Sequence, residues 1–246
     1  MSFNKPVLEA TPQKLDLKNW DEFLVGTFKK DDNAIEDSMS NTMARFERLT
    51  PNIKKSSKLL MLSGGHTFLP VYVATKYKCK ITVMCRDEAS VQLMNKTAKQ
   101  YEVEDTLVAE KRDFNLTQFD YDQFDMAWSV NSIYGEDELM PVLREIRRIL
   151  QPQGRLVMCE LTSDDLAVQE EMGILSTKNM ERIANKADLE KVYLKDFIKE
   201  SGQHYEHLTT ALKGKKAELA KIDKLASLVA ADKLVWTFMQ FQKRNA

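Results

Sequence analysis

The turn Ser63-Gly64-Gly65-His66 is where chemistry can first be argued in this chain. An apolar run over residues 59–62 stops there, and a second apolar stretch follows with Pro70 near its start. Paired glycines let a ligand approach the main chain, and the N–H groups at a helix start favour negative charge. The same pair also makes a tight connection that holds nothing, and the dinucleotide pattern G-x-G-x-x-G is absent, because the turn reads S-G-G-H-T-F. His66 can donate to a ligand carboxylate or cap the next helix. His204 and His207 stand at i and i+3, but with no third ligand suggested no metal is expected. Cys79, Cys85 and Cys159 lie in or beside apolar runs without C-x-x-C spacing. Buried, reduced thiols in a cytoplasmic protein are the expectation, and no zinc site.

A turn of this kind needs a strand before it and a helix after it. The run at 59–62 suits a buried parallel strand, and Pro is tolerated in a first helical turn because an N–H there has no intrahelical partner. Further strands are expected over 80–85, 106–109, 124–130 and 155–161, with a turn at 151–154 before the last of these. A helix carrying Val91, Met94 and Ala98 follows the second strand. A strong helix over 136–150 places Leu139, Val142, Leu143, Ile146 and Leu150 on one stripe. Strands alternating with helices of this length give βαβ units and a parallel sheet. Before them, residues 1–19 read as an irregular arm, and Ile35, Met39, Met43, Phe46 and Leu49 mark a helix over 31–49. After them, residues 166–187 read as helical, 189–194 as a sixth strand, 197–231 as one or two long helices and 235–241 as a closing strand. No internal repeat or linker divides the chain.

Composition narrows the class. The 246 residues are 43% hydrophobic and 30% charged, as in an ordinary soluble globular protein. Thirty-six basic residues against 37 acidic ones leave a net charge of -1. That balance argues against nucleic-acid binding, which relies on phosphate neutralisation. The amino terminus lacks the pattern of a signal peptide, and no apolar run is long enough to span a membrane.

The stretch FDMAWSVNSIYGEDELMPVLREIRRILQPQGRLVMCE, residues 124–160, resembles class I S-adenosylmethionine (SAM)-dependent methyltransferases. In that family a strand beginning "fD" leads through a loop to a helix ending "E-x-x-R-v-L-k-P-G-G". Here these are Phe124-Asp125, then Glu145 and Arg148, then Gln151-Pro152-Gln153-Gly154. Asp113-Phe114 matches the family's "D-f" after the third strand. Gln203-His204-Tyr205, the charged helix after it and Leu234-Val235-Trp236 are similar to the tail of glycine, sarcosine and dimethylglycine N-methyltransferases. Residues 21–50 are similar to that group's amino-terminal cap.

The resemblance implies a Rossmann-like α/β fold: a seven-stranded, mainly parallel sheet with helices on both faces and an antiparallel last strand. Helices from 21–50 and 165–230 would cap the ligand end. One domain would span 1–246, with an arm and cap helix over 1–50, a SAM-binding core over 55–161, and cap helices with the final strands over 162–246. The implied cofactor is SAM. Asp113 and Phe114 would line its adenine, Gly64, Gly65, Cys85 and Arg86 its ribose and methionine, and Ser129 would also contact it. Tyr134, His204 and Tyr205 would contact a small-molecule substrate, and a homodimer is the candidate assembly.

Methyl transfer from a sulfonium needs mainly proximity, alignment and a dry pocket, so no catalytic triad is expected. An amine substrate would favour aromatic rings through cation–π attraction, with Tyr134, Tyr205 and Trp236 as candidates. Arg182 is the candidate partner for a substrate carboxylate. The chain departs from the family where Met61 replaces an acid in strand one, where Ser63, Thr67 and Phe68 replace glycines, and where Cys85 replaces the acid closing strand two. A thiol is no bidentate acceptor. Losing one charged hydrogen bond costs about 1.5–3 kcal/mol, or about tenfold to a hundredfold in affinity. Asp87 and Glu88 are the candidates to substitute. These departures leave a second expectation open, a non-catalytic relative that binds a partner or another ligand. A dinucleotide oxidoreductase ranks last, since its glycine fingerprint fails.

Overall fold

In the computed structural model, residues 53–63, 68–130, 132–133, 136–197, 202, 206 and 216–244 are described. The elements are β1 (Lys58–Ser63), α1 (Phe68–Tyr77), β2 (Lys80–Cys85), α2 (Glu88–Gln100), β3 (Leu107–Lys111), β4 (Phe124–Val130) and α3 (Glu136–Ile149). They continue with β5 (Leu150–Thr162), α4 (Leu166–Met172), α5 (Thr177–Lys186), β6 (Leu189–Asp196), α6 (Lys216–Ala230) and β7 (Val235–Lys243). The strands form one sheet in the order β3-β2-β1-β4-β5-β7-β6. The first five are mutually parallel, and β7 runs antiparallel to both β5 and β6. The expected seven-stranded, mainly parallel sheet with an antiparallel last strand is therefore the architecture of the chain.

Alternation along the strands builds two cores. Leu59 and Met61 of β1, with Ile81 and Val83 of β2, pack with Val71, Val73 and Ala74 of α1 and Val91, Met94 and Ala98 of α2. Leu60 and Leu62, with Met84, pack on the opposite face with Leu139, Val142, Leu143 and Ile146 of α3 and Met180, Ile183 and Ala184 of α5. Among the described residues each face of the sheet thus carries two helices, and the strands between are buried on both sides, which is why β1, β2 and β4 read as mainly apolar runs. All three cysteines are buried and none is in a disulfide. Burial pushes the Cys79 thiol up to about 11. Burial and the neighbouring Glu160 charge push that of Cys159 up as well.

Several boundaries differ from those read off the sequence. β3 starts one residue later and runs two residues further, because Met84 and Cys85 extend the pairing to Glu110 and Lys111. Residues 151–154 do not separate α3 from β5. Phe124 pairs with Leu150 and Met126 with Arg155, so the four residues form an excursion within β5. Gln153 adopts φ 63 there. A Cβ on Gly154 would lie 2.8 Å from Gln151 O and 3.2 Å from Asp125 O, so only glycine fits without a backbone shift. The helical reading of 166–187 splits in two. Gly173 closes α4 in the left-handed region at φ 65, and the Ser176 hydroxyl then accepts the Asn179 N–H to cap α5. Phe197 is not helical, because its N–H donates to Trp236 O at 2.8 Å and prolongs the β6–β7 pairing.

The helices expected as a cap over 165–230 are also divided between two places. α5 lies on a sheet face, so of residues 166–187 only α4 stands beyond the carboxyl end of β5. The β6–β7 connection starts and ends at that same edge, which places α6 there. An ion pair between Lys224 and Glu171 ties α6 to α4, and Ser163 Oγ donates to Lys233 O at 2.5 Å. The arm and cap helix expected over residues 1–50 lie outside the described residues. Among the described residues no helix is long and apolar enough to cross a membrane.

Candidate functional site

The carboxyl ends of the five parallel strands open on one edge, and Cys85, Arg86, Asp113, Phe114 and Ser129 fall along it. Four residues, 64–67, carry the chain from β1 to α1; Gly64 and Gly65 are among them and lie outside the described residues. At the end of β2, Cys85 is fully buried and its carbonyl accepts the Arg112 N–H. Asp87, a candidate substitute for the missing acid, serves as the N-cap of α2. Its Oδ1 accepts the Ser90 N–H at 2.8 Å and its Oδ2 the Ser90 hydroxyl at 3.1 Å. Glu88 begins α2 and is exposed.

Arg86 draws three loops together. Its Cζ lies 4.3 Å from the ring centroid of Phe114, which follows β3. Its Nη2 donates to Ser132 O at 2.8 Å, in the loop after β4. Since β1 lies between β2 and β4 in the sheet, this side chain crosses the carboxyl end of β1. Ser132 is itself buried and anchored to β1, with its Oγ 2.7 Å from Leu62 O and 2.8 Å from Val130 O. Nothing in the sequence reading had singled out Ser132.

The Asp113-Phe114 loop is held from below by the paired residues of the E-x-x-R motif. Glu145, on α3, accepts the Thr117 N–H at 2.9 Å and the Thr117 hydroxyl at 2.5 Å on one oxygen. Arg148, one turn later, donates to both Glu145 oxygens and to Phe119 O. Arg112 donates to Thr117 O at 2.6 Å and lies over the Phe119 ring. Burial alone would raise the Glu145 carboxyl, but hydrogen bonds from Arg148 and Thr117 together hold it below its usual range. At the top of the loop Asp113 is exposed, and its Oδ1 accepts the Asn115 N–H at 2.9 Å. Phe114 is buried beneath Arg86.

On the α3/α5 face a row of polar residues crosses four strands near the same edge. Ser129 of β4 donates to Glu160 of β5 at 2.5 Å. Thr237 of β7 lies opposite Glu160, 2.7 Å from the Thr162 hydroxyl, and donates to Asp196 of β6 at 2.6 Å. Ser129, Glu160, Thr162 and Thr237 are all buried. Ser129 thus spends its hydroxyl inside the sheet. Ser129 was expected as a cofactor contact and Glu160 was legible only as one acid inside the apolar run RLVMCEL, while Thr162, Thr237 and Asp196 gave no signal. Tyr134, His204 and Tyr205 lie outside the described residues. Trp236 is half-buried on β7 and packs against the α1/α2 core. Arg182 is exposed midway along α5, a face helix and not part of the cap. No group of three His, Cys, Asp or Glu able to hold a metal occurs among the described residues.

Residues 60–158 match the family model described as "Methyltransferase domain". That match agrees with the resemblance to class I SAM-dependent methyltransferases seen in the sequence. The match begins in β1 and ends in β5, so it contains Arg86, Phe114, Ser132 and the Glu145–Arg148 pair. Over 205 residues the chain is 23% identical to the sarcosine/dimethylglycine N-methyltransferase of Halorhodospira halochloris, covering 79% of this chain and 74% of that protein. A solved structure of a candidate sarcosine dimethylglycine methyltransferase from Galdieria sulphuraria superposes with a TM-score of 0.76 at 16% identity. It covers 87% of this chain and 89% of its own. The [4+2]-cyclase SpnF superposes with a TM-score of 0.70 at 16% identity, over 85% and 81% of the two chains. The fold is therefore shared with a [4+2]-cyclase as well as with methyltransferases.

Proposed function

We propose that this chain transfers a methyl group from SAM to a small molecule, with an amine as acceptor. The observation that carries the reading is that Arg86, Phe114 and Ser132, which follow β2, β3 and β4 where the family has cofactor loops, meet over the carboxyl end of β1. On this reading Asp113 and Phe114 face the adenine, while Gly64, Gly65, Cys85 and Arg86 border the ribose and methionine. The Ser129 hydroxyl acts through Glu160, as a support beneath the cleft. Bound SAM supplies the activated methyl group. The residues of this chain align it and exclude water, and α4 and α6 close the edge from above.

The amine acceptor rests on the similarity to a sarcosine/dimethylglycine N-methyltransferase, with Tyr134, His204 and Tyr205 as the proposed substrate contacts. Calorimetric titration with SAM and with its demethylated product, S-adenosylhomocysteine (SAH), tests the cofactor half; micromolar binding is expected. A radiolabelled-methyl assay over glycine, sarcosine, dimethylglycine, phosphoethanolamine and histidine tests the acceptor half. Transfer confined to phenols or thiols would reject the amine and keep the methyltransferase. A second reading, a fold that binds without transferring methyl groups, is favoured by Cys85 standing where the family has an acid. Absence of heat at millimolar SAM and SAH would establish it in place of the first.

A further inference from the structure

We propose that the amino-terminal edge of β1 and β2 docks on an anionic lipid surface. Residues 53–58 and 75–80 lead into these two strands, and six of the twelve are lysines, with no acid among them. Lys58 and Lys80 are register partners on adjacent strands, so their main chains lie about 5 Å apart. The turn before β1 is fastened to the same place, because Ser57 O accepts the Lys80 N–H at 3.1 Å and Ser57 Oγ accepts the Lys54 N–H at 3.0 Å. Lys54, Lys55, Lys58, Lys76, Lys78 and Lys80 are thus gathered on one edge, and all are exposed. The carboxyl end of α1 accounts for Lys76 and Lys78, since cations are favoured there. Lys54, Lys55, Lys58 and Lys80 stand at no helix end, and among the described residues none of these four forms an ion pair.

The kind of partner follows from the composition of the patch. It holds no arginine, so nothing in it reads phosphates or bases with a planar fork, as nucleic-acid sites do. No large apolar side chain is exposed in 53–58 or 75–80, whereas a protein partner needs an apolar centre to the contact. Lysine point charges suit a layer of headgroups, whose attraction sums over charges without fixed geometry. Tyr72 and Tyr77, half-buried on α1, have ring centroids 5.7 and 5.5 Å from Lys76 Nζ. Rings beside cations are the mixture found at membrane interfaces. Glu102, Glu104 and Asp105 bound the patch ahead of β3. Asp125, near the start of β4, bounds it on the other side and accepts the Lys58 N–H at 2.7 Å. The whole chain carries a net charge of -1, and charges act over a Debye length of about 8–10 Å, so the attraction belongs to this edge and orients the molecule. The edge lies opposite the carboxyl ends of the strands, and docking leaves the candidate cleft facing water.

The test is co-sedimentation of the full chain with vesicles of phosphatidylcholine alone and of phosphatidylcholine mixed with phosphatidylserine, over a salt series. Binding is expected to the mixed vesicles only, and it is expected to fall as salt rises. Lys54→Gln, Lys55→Gln and Lys58→Gln together are expected to weaken it about a hundredfold, at roughly fivefold per lysine. The same three positions changed to arginine keep the charge and are expected to keep the binding. Equal binding to both kinds of vesicle, no binding to either at low salt, or a glutamine variant that binds like wild type overturns the proposal. Titration with a single-stranded RNA oligonucleotide at the same salt separates the other anionic partner. RNA bound where vesicles are not makes this a nucleic-acid surface and overturns the proposal as well. If the triple variant does not fold, Lys78→Gln with Lys80→Gln decides, with a weakening of about twenty-fivefold expected.

Discussion

Asp113 has two duties that one substitution separates. One carboxylate oxygen closes a turn on the Asn115 N–H, and the charge is proposed to face the adenine. Asp113→Asn keeps an oxygen for the turn and loses the charge. SAM affinity is expected to fall by about 1.5 kcal/mol, roughly tenfold, with the thermal midpoint unchanged. Unchanged affinity in calorimetry would place the adenine elsewhere. Glu145 makes a different prediction. Its carboxyl is depressed in the folded state, so the folded protein binds that proton more weakly than the unfolded chain does. The stabilisation is full above the ordinary carboxylate range and is lost as pH falls through the depressed value. Glu145→Gln should therefore destabilise the protein by about 1–3 kcal/mol at neutral pH. In urea melts at successive pH values the gap to wild type should close in acid; a pH-independent gap would contradict the assignment. Sequence showed Glu145 and Arg148 as a motif, because both stand in one local pattern. It did not show Ser132 or Thr237, whose partners Leu62 and Asp196 are 70 and 41 residues away.

The strands and face helices were readable because burial on both sides of a parallel sheet leaves apolar runs such as LLML, and KITVMC with Thr82 alone polar between its ends. Where the chain bends, local chemistry was the weaker guide. Gln-Pro-Gln-Gly looks like a turn in isolation, yet the β4–β5 ladder resumes beyond it and absorbs it as an excursion. Gly173 was read through as helix, because one glycine amid good helix formers is a small signal until its left-handed conformation is seen. The two glycines predict different costs. Gly173→Ala meets no atom within 4 Å, so only backbone strain of about 1–2 kcal/mol is expected. Gly154→Ala adds contact with main-chain oxygens at 2.8 and 3.2 Å and should cost more, with distortion of the Phe124–Leu150 end of β5. Equal destabilisation of the two variants in denaturant titration would argue against the excursion.

Taken as one body, the molecule should respond to its cofactor as a unit. A ligand held at about a hundred times its Kd stabilises the native state by about 2.7 kcal/mol. For a chain of this size that is a rise of roughly 5–10 °C in the midpoint of thermal unfolding. SAH is expected to produce it, and a flat response at millimolar SAH would count against the cleft. The strand order carries a consequence of another kind. β7 lies between β5 and β6, although it follows both in the chain. While the protein is being synthesised, β6 emerges with no ladder to join, and its only described sheet neighbour is a strand still to be made. Chains emerge at about 5–20 residues per second, so Leu189–Asp196 waits several seconds before Val235–Lys243 can slide in beside β5. During that interval the β5 edge is an open template, and nascent-chain crowding or a stalled ribosome just short of Val235 would expose it to any passing strand.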